Sequence, residues 1–275
     1  MLTTYGAIVL EKPGAISIPT EVDHLLRDRK SWVKHFKPKL QYSNERINWK
    51  KLEALKSRNT EREDPLGLFC GSLFGQIRNM MGLEAISYLY VDDEALYDEM
   101  IGAVAELCFK VTENILSSGV QFDFAHFWED IAFKTGPLIS PSIFEEKIGP
   151  GYRRITELVN SRGIDLVSVD CDGKIDDLVP CWINNGVNTM FPIEVGTWQA
   201  DILPWKKKFG RELRGVGGMN KHVFAEDYSA IDSEIERLKP LVGMGGFIPC
   251  PDHRIPPTAK WDNVRYYCDK MKQTL

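Results

Sequence analysis

The stretch IDLVSVDCDGKIDDLVPCWINNGVNTMFPIE (164–194) decides the fold class. IDLVSVD (164–170) is short, apolar and rich in β-branched residues, which reads as a buried strand. An acidic turn with glycine follows at Asp172-Gly173, and Ile175 to Asn184 carries a helical pattern. VNTMFPIE (187–194) then reads as a second strand. Strand, helix and strand within about thirty residues make a βαβ unit and hence a parallel sheet.

The same grammar extends in both directions. Upstream, PLGLFCG (65–71) and FDFAHFW (122–128) read as strands. Helices are expected over 72–82 and 92–118. Leu96, Met100, Val104, Leu107, Val111 and Ile115 recur at three- and four-residue spacing in the second, and Asp92-Asp93 favours its N-terminus. Pro141 to Ile148 and Tyr152 to Ser161 are also helical. Downstream, LRGVGG (213–218) and GGFIPC (245–250) read as strands, with helices near 199–209, 229–241 and 261–273. The count is six strands. Residues 1–64 are polar and irregular: a short hairpin over 4–20 broken at Pro13-Gly14, then helical stretches at 20–36 and 46–58. The expected organisation is an irregular, helical N-terminal segment (1–64) and one (β/α) barrel domain (65–275), since a barrel needs about 250 residues.

Hydrophobic residues make up 43% and charged residues 27% of the 275 residues, an ordinary globular balance. A net charge of −5 gives no basic footprint for nucleic acid. No apolar run reaches the length of a membrane helix, and MLTTYGAIVLEKPGAISIP (1–19) lacks the pattern of a signal peptide. The six cysteines form no CxxC pair, so reduced thiols in a cytoplasm are expected. There is no P-loop, HExxH, GxSxG or dinucleotide fingerprint.

Parallel strands carry their chemistry at their carboxyl ends. There the chain places Glu129-Asp130, Asp170-Cys171-Asp172-Gly173, Glu194 with Asp201 beyond it, Gly217-Gly218-Met219-Asn220, and Cys250, Asp252, His253 and Arg254. Each has a structural alternative. Asp and Glu cap helices and shape turns, Glu194 suits a buried ion pair, His253 suits a surface, and Cys171 and Cys250 suit a core. Acids after three successive strands and a histidine after the last nevertheless point to one polar site. Asp172, Glu194 and His253 are its central candidates. Glu129, Asp130, Asp201, Gly217, Gly218, Asn220 and Arg254 are candidates for holding a substrate. Asp, Glu, His and Cys at converging strand ends suit a divalent ion such as zinc, with Asp170, Asp172, Cys250 and His253 as candidate donors.

Five stretches, in order, carry a family resemblance: FWEDIAFKTGPLISPSIFEE (127–146), VDCDGKIDDLVP (169–180), GVNTMFPIE (186–194), FGRELRGVGGMN (209–220) and GGFIPCPDHRIPP (245–257). From about Pro65 onward the chain resembles the uroporphyrinogen decarboxylase family of TIM barrels. That family includes cobalamin-dependent methyltransferases, which move methyl groups between corrinoid proteins and thiols, and the likeness is strongest to methyltransferase-like members. Where those members commonly read His-Ser-Asp-Gly, this chain has Asp170-Cys171-Asp172-Gly173. Thiol methyltransferases place His-x-Cys there and a further Cys after the last strand, positions that fall on Asp170, Asp172 and His253. The resemblance therefore leaves open a site of harder ligands or no metal. It also implies that the strand at 65–71 is the family's third, and that the first two strands and the decarboxylases' arginine-rich motif have no counterpart here. A shortened barrel, a gap patched by residues 1–64, and a second chain, as in a homodimer, each account for that.

The resemblance implies an enzyme that transfers methyl groups to a small-molecule acceptor, with a methyl-corrinoid protein as partner. The alternatives are tetrapyrrole decarboxylation, with Arg154 or Arg254 holding carboxylates, and a non-catalytic binding or scaffold protein.

Overall fold

The structure, a computed structural model, describes residues 1–12, 14 and 19–274. Ten strands occur among them: β1 (Ala7–Leu10), β2 (Thr20–His24), β3 (Gly67–Gly71), β4 (Phe124–Trp128), β5 (Ala132–Phe133), β6 (Gly136–Pro137), β7 (Val167–Asp170), β8 (Thr189–Ile193), β9 (Arg214–Met219) and β10 (Phe247–Pro251). β3, β4 and β7 to β10 form the six-stranded parallel sheet, matching the six strands expected. Helices surround them in an α/β arrangement. The residues group into two compact units. One comprises Met1–Glu129 with Leu138–Val167, the other Asp130–Pro137 with Ser168–Leu275.

In the first unit β1 and β2 pair antiparallel, and β3 pairs parallel with β4. Thr20–His24, expected as the start of a helix, is the second hairpin strand. Helical backbone begins only at Arg29, where Asp28 and Ser31 close a reciprocal capping box. Pro13, the expected hairpin breaker, lies outside the described residues. The long helix Glu94–Ser117 buries Leu96, Met100, Val104 and Leu107 as the spacing predicts, and Val111 and Ile115 are partly buried. Residues 83–91 fall between the two helices that the spacing predicts. A separate helix, Leu83–Asp92, stands there, and extended backbone at Asp93 divides it from the long one.

In the second unit β7, β8, β9 and β10 run parallel in that order. Val167 and Val169 are fully buried while Ser168 and Asp170 are half-buried, the period-two signature of a strand. Helices Val179–Asn184, Ile202–Phe209 and Tyr228–Gly243 connect these strands, and Trp261–Thr274 follows the last. The helix expected near 199–209 is two pieces, because Gln199 adopts a left-handed backbone after Val195–Trp198. All six cysteines are unbonded, and no described helix is long and apolar enough to cross a membrane.

Glu129, at the end of β4, is fully buried and ties its unit together. It accepts from the backbone N–H groups of Leu73 (2.6 Å), Phe74 (3.1 Å) and Gly75 (2.7 Å). The hydroxyls of Tyr152 (2.6 Å) and Ser72 (3.3 Å) also donate to it. Burial raises the proton affinity of this carboxyl, and the donors oppose that by stabilising the charge. An amide at this position would face an N–H with an NH₂ group. Glu129→Gln should therefore cost about 3 kcal/mol in chemical denaturation, against about 1 kcal/mol for Tyr152→Phe. A loss below 1 kcal/mol for Glu129→Gln would show that the carboxylate is not an anchor.

Candidate functional site

The strand ends of the second unit bring three candidates together. Asp172 lies two residues beyond β7, Glu194 directly after β8 and His253 two residues after β10. Each offers a ligand atom, and the three atoms lie within 4.8 Å of one another. His253 Nε2 stands 3.1 Å from Asp172 Oδ2.

Local backbone fixes each group. Cys171 continues the β7–β8 ladder by donating its N–H to the Phe191 carbonyl (2.8 Å), and Asp172 projects from the turn that follows. Gly173 carries that turn with φ +95°, and a Cβ there would sit 2.6 Å from the Ala132 carbonyl oxygen, so only glycine fits. Its N–H donates to Glu194 Oε2 at 2.6 Å. The Thr197 hydroxyl donates to Glu194 Oε1 at 2.9 Å. Glu194 is only 3% exposed and rigidly held, whereas the side chains of Asp172 and His253 are 44% and 34% exposed. The cluster thus has one buried, oriented carboxylate and two groups open to solvent.

Negative charge accumulates here. Burial raises the Asp170 carboxyl to about 6, helped by the Asp172 and Asp130 carboxylates and more weakly by Glu194, while His253 opposes the shift. Asp130 holds a left-handed backbone at φ +53°. Several acids facing one imidazole favour a bound cation. Two carboxylates and an imidazole are donor types that suit a divalent ion, and one pair of them has the spacing of two ligands on one metal. Two donors of one zinc, each about 2.1 Å away, stand roughly 3 Å apart, as Asp172 Oδ2 and His253 Nε2 do. Thiolates are not offered. Cys171 is buried and its sulfur accepts the Ile131 N–H (3.2 Å), and burial pushes the half-buried Cys250 thiol up.

Other candidates stand elsewhere. Glu129 is held within the first unit by the contacts described above. Asp201 caps the helix Ile202–Phe209 by accepting the Leu203 N–H at 2.9 Å. Asn220 accepts the His222 N–H (3.1 Å) and donates its own N–H to Glu234 (2.7 Å). Gly217 and Gly218 lie within β9, where a Cβ would meet the Ile193 backbone and the Phe247 ring, each at 2.7 Å. Their close approach is to neighbouring protein. Arg254 is exposed.

The sequence places Asp252 among the polar residues at the strand ends without giving it a role, and it does not single out Thr197 or Lys221, the buried partner of Asp252. Asp252 is fully buried and accepts the Gly196 N–H at 2.5 Å. Its place between Pro251 and His253 was the only hint, and a hydroxyl three residues after Glu194 is too common a pattern to stand out.

Residues 23–274 match the family model for uroporphyrinogen decarboxylase (URO-D). No curated protein matches the chain. A methyltransferase from Methanosarcina mazei shares the fold at 14% identity and a TM-score of 0.63, over 98% of this chain and 76% of that one. A putative vitamin-B12 independent methionine synthase from Listeria monocytogenes is 12% identical with a TM-score of 0.46, over 82% of this chain and 69% of that one. The family match spans nearly the whole sequence and the shared architecture agrees with it: this α/β chain, with its parallel six-stranded sheet, belongs to the uroporphyrinogen decarboxylase family, whose fold is TIM-barrel-like.

Proposed function

We propose that this chain is a methyltransferase-like member of its family and that Asp172, Glu194 and His253 hold a divalent cation, zinc being the first candidate. The observation that carries the reading is the convergence of these three ligand atoms within 4.8 Å at the carboxyl ends of β7, β8 and β10. A zinc ion there would lower the proton affinity of a thiol acceptor and present its thiolate to a methyl group. Glu194 is oriented for binding by Gly173 and Thr197. Asp172 and His253 face solvent, from which a small acceptor and a methyl-corrinoid protein approach in this reading. The neighbouring fold being that of a methyltransferase agrees with it.

Decarboxylation has less support. Arg154 pairs with Glu106 and lies over the Phe109 ring at 3.7 Å, which occupies its guanidinium. Arg254 is exposed beside His253 and has no second arginine in the cluster described above.

Elemental analysis of protein purified without chelator should find close to one metal ion per chain. Asp172→Ala and His253→Ala should each weaken zinc binding by about 100-fold or more in a competition titration, since even outer-shell losses cost 10- to 100-fold. A folded, monodisperse wild type that binds no metal would overturn the metal-dependent reading and favour the decarboxylase or scaffold alternatives.

A second outcome concerns metal-free protein. Asp170 titrates near 6 in the folded chain against 3.8 for an ordinary aspartate, so the folded state holds this proton more tightly than the unfolded one. That stabilisation is complete below about pH 4 and is lost as pH rises through about 6. Asp170→Asn removes the loss. Its melting temperature should gain on that of the wild type between pH 4 and pH 7, and a gap independent of pH would show that burial and its neighbours' charge do not raise the Asp170 carboxyl.

A further inference from the structure

We infer that Asp252, paired with Lys221, is the positioning residue of the site: its buried carboxylate sets where Glu194 and His253 stand relative to each other. The inference rests on the metal-binding reading above.

Asp252, itself just beyond β10, touches the segments at the ends of the two neighbouring strands β8 and β9. Beyond β8, the Gly196 N–H donates to Oδ2 at 2.5 Å. Beyond β9, the Lys221 N–H donates to Oδ1 at 3.2 Å, and the Lys221 ammonium stands 3.6 Å from the same oxygen. The Asp252 N–H in turn donates to the carbonyl of Met219, the last residue of β9, at 2.9 Å. The carboxylate is wholly buried and Lys221 is only 8% exposed. A buried carboxylate persists only when paired and fully hydrogen-bonded, so its geometry is fixed.

The two proposed ligands are bonded almost directly to this junction. Glu194 precedes Gly196 by two residues, and His253 is the next residue after Asp252. A displaced Asp252 therefore moves both. Gly196 has no room for a side chain, since a Cβ there would lie 2.7 Å from the His222 ring, 3.0 Å from Asn220 Oδ1 and 3.1 Å from Asp252 Oδ2. The short helix after β8 thus seats against Asp252 with its bare backbone at Gly196. Outer groups of this kind, which hold ligands without touching the metal, change affinity by 10- to 100-fold when lost.

The test is zinc affinity by competition with a chromophoric chelator, with thermal unfolding recorded on the same metal-free samples. Asp252→Asn should bind zinc 10- to 100-fold more weakly than the wild type. Glu129→Gln disturbs a buried carboxylate with no hydrogen bond to these residues, and should keep wild-type affinity despite its lower stability. If Asp252→Asn does not fold, Gly196→Ala presses on the same junction from its other side and should show the same loss. Wild-type zinc affinity in Asp252→Asn, or an equal loss in Glu129→Gln, would overturn the positioning role while leaving the metal reading standing. No zinc binding by the wild type would overturn both.

Discussion

The N–H of Gly173 donating to the Glu194 carboxylate over 2.6 Å joins the end of β7 to the end of β8, and the site is arranged around it. A buried carboxylate loses several kcal/mol of hydration, which must be offset by donors of good geometry. Gly173 can offer its N–H only because a left-handed turn aims it there, and the turn exists only because the position has no side chain. The same turn displays Asp172. One glycine conformation therefore orients the buried acid and presents the exposed one, and the Thr197 hydroxyl completes the hold on Glu194.

Glu129 and Glu194, two of the buried acids at the strand ends, meet their cost of burial differently. Glu129 is surrounded by three backbone N–H groups and two hydroxyls, so its acceptor sites are taken by protein. Glu194 has two donors, leaving lone pairs in a cluster where Asp172 and Asp130 repel Asp170. A satisfied carboxylate anchors, whereas a cluster of under-compensated ones stores repulsion that a cation would relieve. That difference in compensation separates two glutamates which look alike at the ends of their strands.

It also explains how far the sequence could be read. Strands β7 and β8 were legible because alternation and β-branching act locally, and the stripe of Glu94–Ser117 was legible for the same reason. The hairpin strand Thr20–His24 was not, since its residues are nearly all exposed and only pairing with β1 makes them extended. Asp172, Glu194 and His253 could be named from their positions after strands. Asp201, Asn220 and Glu129 occupy equally suggestive positions; the first two cap N–H groups two residues on, and Glu129 anchors donors that fold in from more than fifty residues away. Asp252 could be placed at its strand end but not given a role, because its partners, Gly196 and Lys221, lie 56 and 31 residues away.

The character of the donors bears on the proposed chemistry. Two carboxylates and an imidazole are harder ligands than thiolates, and such sets suit ions that retain open positions for an incoming ligand. The two cysteines nearest the cluster in sequence do not soften it. Cys171 is committed to the Ile131 N–H in the core, and Cys250 is held in its neutral form by burial. In the proposed reading the acceptor would then bring the only sulfur to the metal. Fewer protein thiolates leave more positive charge on the ion, which strengthens its pull on an acceptor thiol's proton but also binds the resulting thiolate more tightly, lowering its nucleophilicity. A site of this composition is therefore better matched to generating a thiolate near neutral pH than to releasing a highly reactive one.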